Sequence, residues 1–245
     1  MLAAYVGTRI RHGIRAVLFK LPPSPVLPPR PNFKIEIIVP RIVAGALRHR
    51  KLNSPPSRAT RPITDRAKEM LFENLGGELK GERVADVCSG TGTIGLEALS
   101  RGAQSVVFLE RDYKTHAILK QNVESLGVAD QCLCWRTDIL RTSFQPQNVE
   151  AFLPFDMVFF DPPYQMSQDM RAGDRMYKSL QRLAREQVTD AKCLLLLRTP
   201  VRCEPDMPDA WQLDWTLRIS SMMIHAFQKS RTAMPSNDLA TDSPA

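Results

Sequence analysis

The sequence predicts an α/β fold on a mostly parallel, doubly wound sheet, and three observations carry that prediction. Short apolar or β-branched runs alternate with segments of helical period across residues 83–198, the pattern of strands joined by helical crossovers. A glycine turn, CSGTGTIG, opens directly after the first of these runs. Two further runs, WQLDWTLRIS and SMMIHAFQK, follow each other almost without a connection, so they are expected to pair antiparallel and close one edge of the sheet.

The elements follow in order. MLAAYVGTRIRHGIRAVLFK carries arginines and no acid, and LPPSPVLPPRP after it is a semi-rigid, proline-rich linker. Residues 1–34 are expected to be a disordered extension or a targeting segment, with a single serine, Ser24, counting against an organellar transit peptide. FKIEIIVPRIVAG reads as a strand or hairpin that leads into the basic ALRHRKL. ITDRAKEMLFENLGG predicts a helix with Thr64 as N-cap, Ala67, Met70, Leu71 and Leu75 on one face, and Gly76 as its stop. Residues 35–75 thus make a small basic hairpin and helix arm ahead of a main domain over 76–229. Within that domain, strands are expected at RVADVC, SVVFLE, QCLCWRT, FDMVFFD and KCLLLLR, with helices at TIGLEALSRG, DYKTHAILKQNVESLG and MYKSLQRLAREQV. Residues 230–245 are polar and expected to be disordered.

Charge divides the chain. Residues 1–68 hold 14 Lys/Arg against only Glu36 and Asp65, whereas the remainder holds 19 against 24 acids. A basic segment on a mildly acidic body is the electrostatic footprint of a polyanion binder. Five cysteines form no CxxC pair and no Cys/His ligand spacing, so a reducing compartment and no metal site are expected. No apolar stretch approaches the roughly 20 residues that span a bilayer.

Gly90, Gly92 and Gly95 have the G-x-G-x-x-G spacing of a nucleotide-binding turn, with Ser89 beside them and Glu110 at the end of the next strand. That spacing alone does not choose the ligand. Asp86, four residues before Gly90, does: a carboxylate at this strand tip repels a pyrophosphate but suits a ligand with an ammonium and a sulfonium. S-adenosylmethionine is therefore favoured over NAD, with Glu110 accepting ribose hydroxyls and Asp138 placed for an adenine amino group. Asp138 also reads as a cap for the turn that follows it.

FFDPPY ends the fourth strand. Proline lacks an N–H and holds its predecessor extended, so the strand must stop at Asp161-Pro162-Pro163-Tyr164. In open α/β sheets ligands sit at the carboxyl ends of strands. There Asp161 can accept one hydrogen of an exocyclic amine and the Pro162 carbonyl the other, aiming the nitrogen lone pair at a methyl group, while Tyr164 offers a stacking face. Such chemistry requires the base to be unstacked into a pocket.

RIVAGALRHRKL, RPITDRAKEMLFENL, DVCSGTGTIGLEALSRGA, VVFLERD and FDMVFFDPPY occur in this order. Over residues 35–229 the chain resembles the bacterial 16S rRNA guanine-N2 methyltransferases. The resemblance implies a seven-stranded Rossmann-like sheet, S-adenosylmethionine as donor, and 16S rRNA within a small ribosomal subunit or its assembly intermediate as acceptor. Arg41, Arg48, Arg50, Lys51, Arg61 and Arg66 are the candidate RNA contacts. Three departures stand out. Arg48-His49-Arg50 replaces Arg-Gly-Arg/Lys, which predicts loss of a tight glycine turn; Cys88 replaces an aromatic; and Leu197-Arg198 stands where an acidic strand end is usual.

Other readings stay open at this point. An adenine-N6 DNA methyltransferase uses the same tetrapeptide, though the 81 residues after Tyr164 leave little room for a target-recognition domain. A catalytically silent RNA-binding module need not retain Asp86 and Asp161. A nicotinamide-dependent reductase conflicts with Asp86. The expectation is a cytoplasmic monomer, or an organellar one if residues 1–34 are a transit peptide.

Overall fold

The computed structural model describes residues 39–55, 63–147, 149–168 and 170–230. The expectations for residues 1–34, 33–38, Arg61 and 231–245 lie outside them. In chain order the elements are α1 (Asp65–Asn74), β1 (Arg83–Val87), α2 (Thr93–Ser100), β2 (Ser105–Glu110), α3 (Tyr113–Leu126), β3 (Cys132–Arg136), β4 (Phe155–Phe160), α4 (Tyr164–Gln168), α5 (Arg175–Leu183), β5 (Thr189–Pro200), β6 (Trp211–Ile219) and β7 (Met222–Lys229). The strands form one seven-stranded sheet in the order β3-β2-β1-β4-β5-β7-β6. β3, β2, β1, β4 and β5 pair parallel, and β7 runs antiparallel to both β5 and β6. The fold is Rossmann-like, with the expected terminal hairpin at one edge; its antiparallel strand is the inner of the two.

Period-two alternation divides the strands between two cores. Val84, Val106, Phe108, Phe159 and Leu196 face the side covered by α1, α2 and α3. Val87, Leu109, Val158, Phe160, Leu195 and Leu197 face Met176, Leu180 and Leu183 of α5. Strands buried on both faces read as unbroken apolar runs, which is why FDMVFF and CLLLL are legible. The order reverses between β1 and β4, so their carboxyl ends flank the crevice that such sheets use for ligands.

Two helices differ from expectation. The Thr64 side chain does cap α1, accepting from the Ala67 N–H at 3.2 Å, but the buried face is Ala67, Lys68, Leu71 and Phe72. Phe72 takes the central place because it meets Phe159 of β4, ring centroids 5.6 Å apart; Met70 and Leu75 lie at the margin. α5 ends at Leu183, short of the expected Val188, because Thr189 already pairs with Phe155 as the start of β5.

The arm forms the predicted hairpin in minimal form, one antiparallel bridge between Arg41 and Lys51. His49 donates its N–H to the Ile42 carbonyl at 2.9 Å while holding φ at +68°. The tight turn is therefore kept, against expectation, with histidine in the left-handed conformation that glycine adopts freely. The arm is bolted to α2. Glu97 accepts from the N–H groups of Val43 (2.8 Å) and Ala44 (3.0 Å) and pairs with Lys68 and Arg101. Lys68 also donates to the Arg41 carbonyl. Lys68 and Glu97 are almost wholly buried, and burial pulls the Lys68 ammonium below its ordinary pKa with Glu97 opposing. Removing either partner from such a pair costs about 3–5 kcal/mol. The 75/76 boundary thus crosses a continuous core.

Candidate active site

Five loops converge at the carboxyl ends of β1 to β5. Register fixes who meets whom: Val87 lies beside Leu109 and Phe160, and Phe160 beside Leu197. The next residues along three of these strands are charged, Glu110, Asp161 and Arg198, while on β1 the carboxylate is Asp86, one residue before Val87. The Asp161 N–H donates to the Val87 carbonyl at 3.0 Å, which places the tetrapeptide against the glycine turn.

The β1–α2 turn is built by its glycines and by Asp86. Asp86 is 1% exposed, and its Oδ2 accepts from the Gly95 N–H at 2.8 Å. Burial raises its pKa to about 7, with the carboxylates of Asp161 and Glu110 adding to the rise. A Cβ on Gly95 would stand 2.4 Å from Phe108 Cε1, so glycine is what lets α2 approach β2. Gly92, at φ +84°, meets Leu119 in the same way. Gly90 differs: a Cβ there would meet nothing within 4 Å. Ser89 Oγ beside it is buried with no hydrogen-bond partner among the described residues. An open cradle next to an unsatisfied hydroxyl fits a polar ligand lying along this turn.

Glu110, at the end of β2, is committed at both oxygens. Oε2 accepts from the Gly90 N–H at 2.9 Å and Oε1 from the Asp112 N–H at 2.7 Å. Each carboxylate oxygen has a second lone pair for a ligand donor. Asp138 makes the turn that its alternative reading predicts, accepting from the Leu140 N–H at 3.0 Å, while Arg111 Nη1 lies 3.9 Å from its other oxygen. Asp86, Ser89, Gly90, Gly92, Gly95, Glu110 and Asp138 thus lie along the carboxyl ends of β1, β2 and β3 and the turns that follow them.

The carboxyl ends of β4 and β5 hold what sequence reasoning missed. Arg198 Nε lies 2.6 Å from Asp161 Oδ1, and the guanidinium stands 5.6 Å from the Tyr164 ring centroid. The two form a close ion pair, and both atoms are buried. Burial raises the Asp161 pKa to about 6, and Arg198 opposes that rise. The signal was available: each is the first charged residue after an apolar strand, and β4 and β5 are neighbours. Tyr164 opens α4 and is 40% exposed, whereas Pro162 is buried.

Of the candidate RNA contacts, Arg48, Lys51 and Arg66 are exposed. Arg41 Nε pairs with Asp65 at 2.7 Å, and Arg50 donates to the Ser125 carbonyl at 2.7 Å. Buried Asn122 joins arm to turn, bonding Asn53 through both amide atoms and donating to the Thr91 carbonyl at 3.0 Å. Among the described residues no cluster of ligating side chains could hold a metal, and no helix is long and apolar enough to cross a membrane. A cavity of about 660 Å³ opens beside Arg83, Asp156 and Asp190, at the opposite rim, where Arg83 and Asp156 satisfy each other.

Residues 40–219 match the family described as conserved hypothetical protein 95. Ribosomal RNA small subunit methyltransferase D of Haemophilus influenzae is 39% identical over 139 residues, 55% of this chain and 67% of that one. Across the first three curated relatives the aligned stretch spans about two thirds of their length. The solved structure of yhhF from Escherichia coli, a candidate methyltransferase, superposes with a TM-score of 0.63 at 26% identity, covering 77% of this chain and 97% of that one. An RNA methyltransferase from Salinibacter ruber, solved with S-adenosyl-L-homocysteine, shares the fold with a TM-score of 0.51 at 17% identity, covering 72% and 98%.

Proposed function

The chain belongs to the conserved hypothetical protein 95 family, that of the small-subunit rRNA methyltransferases, and on that footing we propose that it transfers a methyl group from S-adenosylmethionine to the exocyclic N2 amine of a guanine in 16S rRNA. The observation that carries this reading is the Asp161-Pro162-Pro163-Tyr164 turn, held by the Asp161–Val87 hydrogen bond directly against the glycine turn.

S-adenosylmethionine, when bound, would supply an electrophilic methyl on a sulfonium, and the Asp161 carboxylate would take the proton that the methylated amine sheds. Asp86, Ser89, Gly90, Gly92 and Gly95 would hold its methionyl end, Glu110 its ribose and Asp138 its adenine. A buried Asp86 with its pKa raised to about 7 favours a cationic ligand, since a neighbouring positive charge stabilises the carboxylate. Asp161 and the Pro162 carbonyl would accept the two amine hydrogens, drawing nitrogen toward tetrahedral geometry. The developing positive charge on nitrogen faces the Asp161 carboxylate, and Tyr164 gives the flipped base a surface to stack on.

Arg48, Lys51 and Arg66 would meet phosphates, with Arg41 and Arg50 contributing less because each is already engaged. Phosphate contacts position and base contacts specify. The substrate is RNA within the small subunit or its precursor, and the enzyme acts as a cytoplasmic monomer. The test is transfer of labelled methyl from S-adenosylmethionine to small-subunit RNA, followed by nucleoside digestion. Label in N2-methylguanosine supports the reading, and label in N6-methyladenosine replaces it with the adenine alternative.

A further inference from the structure

We propose that Arg198 is a positioning residue for the acceptor, holding Asp161 as an anion and turning one carboxylate oxygen aside so that the other faces the incoming amine. This inference rests on the guanine reading above. Three observations carry it. Arg198 follows Leu197, which pairs with Phe160, so sheet register alone sets it beside Asp161. Its Nε is 2.6 Å from Asp161 Oδ1, and the same guanidinium stands over the Tyr164 ring, so one cation touches both ends of the tetrapeptide. Its side chain is only 19% exposed, which leaves little of it for phosphate in solution.

The need for a cation here follows from burial, which raises the Asp161 carboxyl, at a rim that holds further carboxylates. Asp86 from the end of β1 and Glu110 from the end of β2 place two carboxylates in the same field, and both act on neighbouring Cys88 together with Asp161. From β5, Arg198 is the positive group set against Asp161. The guanine Watson–Crick edge offers two adjacent donors, N1–H and N2–H. An anionic carboxylate accepts from both, and roughly twice as strongly as a neutral acceptor, whereas a protonated carboxyl has a hydrogen of its own to place. A strand end with an acid in this position would add a fourth carboxylate to Asp86, Glu110 and Asp161, so the arginine changes how Asp161 is kept ready.

The test is the pH dependence of single-turnover methyl transfer to small-subunit RNA for wild type, Arg198→Met and Arg198→Lys, with S-adenosylmethionine binding measured by calorimetry for each. An opposite charge at contact moves a carboxylate by about one to three pH units. Arg198→Met is expected to shift the acidic limb of the profile upward by about that much and to recover toward the wild-type rate at high pH. Arg198→Lys is expected to keep the wild-type limb, and donor affinity is expected to be unchanged in both. A limb for Arg198→Met that coincides with wild type, at whatever height, overturns the proposal, as does a lysine variant that titrates like methionine. Should Arg198→Met fail to fold, Arg198→Gln is read in the same way. If wild type itself places no methyl on guanine, the parent reading fails and not this one.

Discussion

The two halves of the rim hold their carboxylates by different means. On the donor side, Asp86, Glu110 and Asp138 each accept backbone N–H groups, from Gly95, Gly90 with Asp112, and Leu140. On the proposed acceptor side, Asp161 is paired with a side chain, Arg198, 2.6 Å away. Backbone donors fixed by a strand–turn–helix unit cannot move without unfolding that unit. Arg198 instead reaches Asp161 from the neighbouring strand as a largely buried side chain. The proposed donor half is thus preorganised by backbone, whereas the proposed acceptor half is set by one side-chain cation.

The sharpest way to break this comparison is to remove the carboxylate from one half at a time. Asp161→Ala is expected to lower the rate of methyl transfer by at least about 10²-fold, the scale for losing one preorganised polar contact to the reacting centre. Calorimetric affinity for S-adenosylmethionine should stay within a few-fold of wild type. Glu110→Ala should do the reverse, weakening the donor by about 1.5–3 kcal/mol per ribose hydrogen bond lost. A variant pair that fails to separate in this way would mean the two halves are one site.

A smaller perturbation tests the rigidity of the donor half through its packing. Gly95→Ala drives a methyl into Phe108 at 2.4 Å and should cost about 1–3 kcal/mol in denaturant unfolding, with loss of donor affinity alongside. Neutralising Arg48, Arg50 and Lys51 together touches neither half. Because Arg50 already bonds Ser125, about two phosphate contacts are at stake. The slope of log binding constant against log salt should flatten by about 1.5, at roughly 0.7–0.9 per contact. Smallest of all, His49→Gly should raise stability by up to about 1 kcal/mol, since glycine takes the +68° φ without strain. A melting temperature below wild type would show that the histidine ring does something the backbone does not require.

The same contrast explains what the sequence revealed. The donor half was legible because its partners are local. A strand, a glycine turn and a helix in succession put Asp86 near Gly95, and Glu110 two residues from Asp112. The Arg198–Asp161 contact joins residues separated by two helices and most of a strand, so it becomes visible only once β4 and β5 are known to be neighbours. Lys68 escaped notice for a related reason. A lysine on a helix is ordinarily read as solvated, and its burial depends on Glu97 waiting inside α2. His49 holds a turn for which the sequence suggests glycine, because the His49 N–H bonds the Ile42 carbonyl and the Ile42 N–H bonds the Arg50 carbonyl.

The central claim, that the acceptor half methylates the N2 amine of a guanine in small-subunit RNA, is tested most directly by mass spectrometry of nucleosides from that RNA. Cells lacking the gene should lose one N2-methylguanosine, restored by the wild-type chain and not by Asp161→Ala. An unchanged N2-methylguanosine content with a missing N6-methyladenosine would contradict it.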